Sequence, residues 1–335
     1  MKKRKLTPGR LYLLLAGCLG IVAVLSLLCG SAVFSPAELW GGLMGQPGHE
    51  TCRFILFSLR LPRILAAVTA GVGLSVSGVL LQSIMGNPLA SPNTIGVNAG
   101  AGLTVVICLT IFPTALLLLP FAAFLGAFGT SLLIVAVGRK AGGGKGTVVL
   151  AGIACTTLFQ AVISFLSTLD TDVLSLYTAF SIGSLQGVST EQLWMPMLLV
   201  LFCLAASLML SGRIAALSLG DDIAASLGIR VKQMRTICLL LASMCAAAVI
   251  SYAGLLGFVG LVVPHMARKM AGHEIRHQLG VSALLGAVLV LLSDLAGRML
   301  FAPSEISVGI VMALIGAPFF FVLLLKRKEF PDADS

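Results

Sequence analysis

Charge is scarce in this chain: only 10% of its 335 residues are Asp, Glu, Lys or Arg. With 58% hydrophobic residues and a mean hydropathy of +1.05, nearly every helix face would be apolar. That excludes a water-soluble domain and makes the bilayer its solvent. Aromatic residues are scarce at 7%, and no basic stripe is interleaved with them, so the formal charge of +9 does not point to nucleic acid. The eight cysteines, at positions 18, 29, 52, 108, 155, 203, 238 and 245, form no Cys-x-x-Cys pair and have no histidine at metal-ligand spacing. They read as small core residues, and no metal is expected. Paired carboxylates, a metal cluster and a nucleophile with its base are all missing, which argues against an enzyme. The stretch "GGGKGT" at 142–147 fails as a phosphate-binding loop because Gly146, not Ser or Thr, follows Lys145. No ATP or other cofactor is therefore expected on this chain itself.

Long uncharged runs are what the sequence does have. About 20 apolar residues cross the hydrocarbon core, and such runs cover 11–33, 61–84, 94–112, 115–137, 147–167, 192–212, 236–267, 278–300 and 306–325. The first begins near Leu15-Ala16-Gly17-Cys18, which looks like a lipoprotein cleavage site, but the apolar run continues to Val33 and reads as an uncleaved span. Nine spans would separate two basic tails, Lys2 to Lys5 and Lys326 to Lys328, that the positive-inside rule places together in the cytoplasm. The run from Thr236 to Ala267 resolves this. It is flanked by basic residues on both sides, and at 1.5 Å per residue it reaches roughly 48 Å, too long for one span. A hairpin fits, with legs 236–252 and 256–267 and its break in the glycines of "SYAGLLGFVG". Ten spans result, in one transmembrane domain over 1–335, with both termini cytoplasmic and a long cytoplasmic loop at 213–235. Four basic residues break the bias by falling on the outer side: Arg53, Arg60, Arg63 and Arg298. Pro62 would stiffen a turn presenting Arg60 and Arg63, and Asp294, one turn before Arg298, suits a local ion pair.

Four stretches, "RLPRILAAVTAG", "GNPLASPNTIGVNAGAG", "GDDIAASLGI" and "GFVGLVVPHMAR", in this order, resemble the FecCD-type permeases. These are the membrane subunits of bacterial ATP-binding-cassette (ABC) importers for ferric siderophores, haem and cobalamin, and the likeness runs over nearly the whole chain. The resemblance implies an all-α polytopic protein of about ten transmembrane helices, of the type II importer permease kind, in the bacterial cytoplasmic membrane. It implies a second permease copy or a sibling permease, two cytoplasmic ATPase subunits that hold ATP and Mg, and an extracytoplasmic substrate-binding protein. Carried over to this chain, the ATPase-coupling loop is Ala215 to Gly228, including Leu219, Asp221, Asp222, Ala224, Ala225 and Leu227. Arg60, Arg63 and Arg298 correspond to the arginines that face the binding protein. An inverted repeat relating spans two to five to spans seven to ten is also implied, but shows only faintly here.

Further expectations come from the residues themselves. The turn with Asn87, Pro88 and Leu89 would line the cytoplasmic exit. On the fifth span, Thr156, Thr157, Gln160 and Ser164 suit either a polar translocation path or interhelical hydrogen bonds. His265 would be structural, bonding a carbonyl freed by Pro264. From the family resemblance, and not from any residue, a ferric siderophore is the expected cargo, with haem or cobalamin as the alternative. An ion-coupled carrier is the rival of another class, but such carriers hold ionisable residues at mid-membrane. Here Asp294 and His265 lie near span ends.

Overall fold

The computed structural model describes residues 8–30, 34–140 and 145–327. Lys2 to Lys5, Lys328, the last residues of the first expected span and the start of "GGGKGT" lie outside them. Among the described residues every regular element is helical. The first half holds α1 (Pro8–Leu28), α2 (Pro36–Met44), α3 (Glu50–Phe54), α4 (Leu61–Met85), α5 (Val97–Ile111), α6 (Leu119–Lys140), α7 (Lys145–Leu169) and α8 (Thr171–Ile182). The second holds α9 (Thr190–Met209), α10 (Ser211–Ser218), α11 (Asp221–Ser226), α12 (Val231–Ala253), α13 (Val259–Ala271), α14 (Ile275–Met299) and α15 (Val308–Arg327). Among the described residues seven helical segments are long and apolar enough to cross a membrane, those ending at Leu28, Met85, Gly138, Leu169, Met209, Ala253 and Met299, and α5 and α15 carry shorter apolar stretches.

Where a helix meets lipid on most sides, its sequence is apolar all round. In α1 only Leu11, Leu15, Val22 and Ser26 are buried, along the stripe that packs on α14. By contrast, α4 is buried along nearly its whole length and is the central helix. It does not begin at residue 61 after a loop. Helix α3 runs through a π-helical stretch, Ile55–Arg60, directly into α4, so Pro62 sits inside a continuous helix of 36 residues instead of stiffening a turn. The wider π turn next to Pro62 accommodates a residue that can donate no backbone hydrogen bond.

The long apolar run at 236–267 breaks where its glycines are. Helix α12 ends at Ala253, Gly254 takes φ +69, and α13 starts after Phe258, which takes φ +64. Two short helices had no counterpart among the expected spans. Helix α2 is closed by a Ser35–Glu38 capping box, and α8 starts at Asp170, whose carboxylate accepts from the Asp172 and Val173 amides.

The halves repeat one pattern. A long helix (α4 or α12) ends at a positive-φ glycine, a short helix (α5 or α13) starts after a positive-φ residue, and a long helix (α6 or α14) follows. The packing is reciprocal, with α4 against α14 and α12 against α6. Because α4 and α12 run antiparallel, the repeat is inverted: Ser77 of α4 donates to Ala242 of α12, and Tyr252 donates to Ala66.

Close packing depends on missing side chains. A methyl group on Gly71 would collide with the Gly286 carbonyl, and one on Gly286 with the Gly71 carbonyl, so α4 and α14 touch backbone to backbone. Gly71→Val should therefore cost more than about 3 kcal/mol, beyond usual overpacking, because the obstacle is main chain and cannot rotate away. Thermal unfolding of the purified variant tests this, and an unchanged midpoint would refute the contact.

Candidate functional site

Three places match the residues singled out in the sequence. The first is at the end of the bundle where α4 begins. Asp294, only 1% exposed, accepts from Arg63 Nε through both oxygens, at 3.0 and 3.1 Å, and forms an ion pair with Arg298, whose Nε lies 3.1 Å from Oδ2. Arg63 Nη1 also donates to Glu305 at 2.7 Å, and Gln186 Nε2 donates to the same oxygen at 2.8 Å. Asp294 thus pairs with Arg298, as its spacing suggested, and equally with Arg63 from a helix more than 200 residues away.

Arg60 and Arg298 are not displayed on the surface as expected. They are 5% and 3% exposed. Both reach the C-terminal carbonyls of α1: Arg60 donates to Leu27, and Arg298 to the Ser26 hydroxyl and, at 3.5 Å, to the carbonyls of Ser26 and Cys29. The Arg60 guanidinium also lies 4.5 Å from the Phe34 ring centroid. The last carbonyls of a helix have no intrahelical donor and carry partial negative charge, so a buried guanidinium is well placed there. All three arginines still line one cleft of about 260 Å³, together with Gln186, Ser189 and Glu305. Arg53 is exposed on α3.

The second place is the loop between α9 and α12. Leu219, Ile223 and Leu227 are 66%, 48% and 65% exposed, with Ile223 on α11 and the two leucines at its flanks, Leu219 set apart by Gly220 at φ +127, so they form an exposed apolar set beyond the spans. Ile223 was missed in the sequence although its spacing was visible. Ala224 is fully buried, Ala215 is partly buried, and Ala225, Asp222 and Gly228 are exposed. Asp221 is held by Arg235 Nη2, 2.7 Å from both carboxylate oxygens, which ties α11 to α12.

The third place is the turn after α4. Asn87 Oδ1 accepts from the Leu89 amide at 2.9 Å, and Asn87 and Leu89 line a wide cavity with Val149, Leu150 and Ile153 of α7. On α7, Thr157, Gln160 and Ser164 lie on the exposed face, but Thr156 turns inward against Gly96, so the four do not share one face. His265 does not serve the freed carbonyl. Pro264 leaves the Gly260 carbonyl without its helical donor, and Gln82, 2% exposed, supplies one at 3.4 Å, while His265 rests edge-on against Phe319. Gln82 carried no signal in the sequence.

Burial pushes the Glu305 carboxyl up, but hydrogen bonds from Gln186 and Arg63 outweigh it and hold the group below its usual range. Its stabilisation is present in full above the ordinary carboxylate pKa and is lost as pH falls through the depressed value. The acid-side slope of stability should therefore shrink in Glu305→Gln. Asp294→Asn should cost about 3–5 kcal/mol, because it leaves buried guanidinium charge uncompensated. Asp294→Leu combined with Arg298→Met should cost less than Asp294→Asn alone. Unfolding midpoints in micelles measure both, and a wild-type midpoint for Asp294→Asn would contradict the cluster's stabilising role.

The model of the FecCD transport family matches residues 18–326. The Fe(3+)-citrate import system permease protein YfmE of Bacillus subtilis is 34% identical, with 96% of each chain covered. The vitamin B12 import system permease protein BtuC of Vibrio cholerae is 35% identical, with 94% of each covered. A solved inward-facing structure of a metal-chelate type ABC transporter superposes with a TM-score of 0.86 at 32% identity, covering 95% of this chain and 99% of that one. A family match over nearly the whole length, joined to the same helical architecture, places this chain in the FecCD transport family.

Proposed function

We propose that the chain is the membrane-spanning permease subunit of an ABC importer in the bacterial cytoplasmic membrane, and that its cargo is an iron complex, a ferric siderophore. Relatives named for ferric citrate and achromobactin transport support the cargo, and those named for hemin and vitamin B12 mark the neighbouring chemistry. Two copies, or this chain with a sibling permease, would enclose the path. In that arrangement Thr157, Gln160 and Ser164 are available to the path, and the turn at Asn87, Pro88 and Leu89 closes its cytoplasmic side. Cells that depend on this permease should grow on a ferric siderophore as sole iron source. Growth on haem alone would move the assignment to the alternative.

The observation that carries the coupling role is the set of exposed apolar side chains Leu219, Ile223 and Leu227, on and flanking the short helix α11 outside the spans. Such a helix fits a groove on a partner subunit, and here the partner is the ATPase. The Arg235–Asp221 pair sets its orientation against α12. At the other end, Arg60, Arg63 and Arg298 line one cleft with Glu305, and their guanidiniums suit acidic residues of a binding protein.

The two alanines of α11 separate docking from folding. Leu227→Asp and Ala225→Glu should reduce ATP-driven uptake by about 30-fold, as truncating an interface anchor of about 2 kcal/mol does, with normal membrane levels. Ala224→Glu should instead lower the amount of folded protein, because that side chain is buried. If Leu227→Asp transports normally, the apolar set is a membrane-surface contact and not the ATPase site.

A further inference from the structure

A groove runs along the lipid-facing side of the bundle between α6, α9 and α12, with a volume of about 300 Å³. Helices α6 and α9 each pack on α12, and the small residues Ala248 and Ser251 of α12 contribute to its floor. Its polarity is graded. At the end of the bundle that holds Arg63, Glu191 and Gln192 at the start of α9 face Leu117 and Pro120 around the start of α6, with Ser251 on the floor between them. Further in, the walls are apolar, with Phe121 and Phe124 on one side and Leu199 on the other. From Glu191 to Leu199 the helix advances about 12 Å, most of the roughly 15 Å hydrocarbon depth of one leaflet. A polar rim above an apolar channel of this length has the shape of a phospholipid.

The rim is rich in acceptors. Pro196 has no N–H, so the Gln192 carbonyl lacks its helical donor at the groove itself. The Gln192 side chain turns back to the Ser189 amide, the Ser251 hydroxyl donates to the Ala248 carbonyl and keeps its lone pairs, and the Glu191 carboxylate is exposed. A ligand that brings N–H donors and positive charge satisfies these groups together.

We propose that this groove is a phospholipid site selective for a primary-ammonium headgroup, that of phosphatidylethanolamine, with an acyl chain between α6 and α9. Phosphatidylcholine has the same net charge but no N–H, and phosphatidylglycerol is repelled by Glu191. A lipid seated there braces α6 and α9 against α12 one turn before α12 breaks at Gly254, independently of what the protein transports.

The test uses the full chain, purified and stripped of lipid, with dioleoyl phosphatidylethanolamine, phosphatidylcholine or phosphatidylglycerol added in equal amounts. Native mass spectrometry should find ethanolamine lipid retained about tenfold over choline lipid, the ratio that one charge-assisted hydrogen bond supplies. It should also give the highest unfolding midpoint. Glu191→Gln should remove most of that preference, and Ala248→Phe should lower retention of both lipids by filling the groove. If Ala248→Phe does not fold, Phe121→Ala on the exposed wall gives the same reading. Equal retention of the two zwitterionic lipids, a preference for phosphatidylglycerol, or an ethanolamine preference that survives Glu191→Gln would each overturn the proposal.

Discussion

A backbone carbonyl or amide inside a bilayer has no water to turn to, and leaving it unpaired costs several kcal/mol. This fold nevertheless interrupts its helices in the interior, and the interruptions dictate which residues surround them. At the break after α12, the Leu255 amide donates to the Phe180 carbonyl, the Ser184 amide to Ala253, and the Gly309 amide to Gly183. Three segments far apart in sequence are knitted together by main chain alone. Glycines stand at these contacts because the backbones must meet: a methyl group on Gly309 would collide with the Ile182 carbonyl, and one on Gly254 with that of Phe180. Near the middle of α4, Gly78 meets the Gly260 carbonyl, and one turn on Gln82 supplies the donor that Pro264 cannot.

The arginines obey the same rule. Positive charge at the end of α4 that begins the bundle looked like a signal addressed outward, since it breaks a bias the remaining basic residues follow. Within one chain its first use is internal. Arg60 and Arg298 satisfy the last carbonyls of α1, and Arg63 joins α4 to α14 and to the loop before α15 through Asp294 and Glu305. A lone buried charge would be prohibitive, but here each has a carboxylate or helix-end carbonyls within reach. Docking of an acidic partner at this cleft would therefore act on a preorganised network in which Arg63 and Glu305 are the most accessible charged members.

Much of this was legible in the sequence, for identifiable reasons. Span positions follow from hydropathy and charge, which are local. The α12–α13 break was visible because three glycines interrupt a run too long for one helix, and the Asp294–Arg298 pair because i, i+4 is a helix neighbour. What escaped depends on distant partners or on short elements. Gln82 and Pro264 are 182 positions apart, and nothing near either announces the bond. Burial of Arg60 could not be read from "RLPR", because the carbonyls it meets belong to α1. Helices α2 and α8 are too short for a span search, and the repeat emerged from reciprocal packing after sequence similarity had faded. The exposed apolar set around α11 was half visible, since Leu219 and Leu227 stood out and Ile223 between them did not.

These features are strung along one helix. Starting from Arg63 in the ion cluster, α4 passes Gly71 against Gly286, Ser77 against Ala242, Gly78 and Gln82 against the start of α13, and ends at Gly86 before the Asn87 turn. Each contact is to main chain or to a buried charge, and none can slide without opening a gap or stranding a polar group. Among the described residues α4 packs on α1, α9, α10, α12, α13 and α14, so it ties the first helix of the chain to the second half and to the loop that leads into α11. Helices α7 and α15 lie outside that set and keep exposed apolar faces, with Leu150 and Phe165 on α7 and Leu314 and Phe321 on α15. A second copy could cover those faces without disturbing the contacts that α4 fixes, because none of them belongs to α4's own packing.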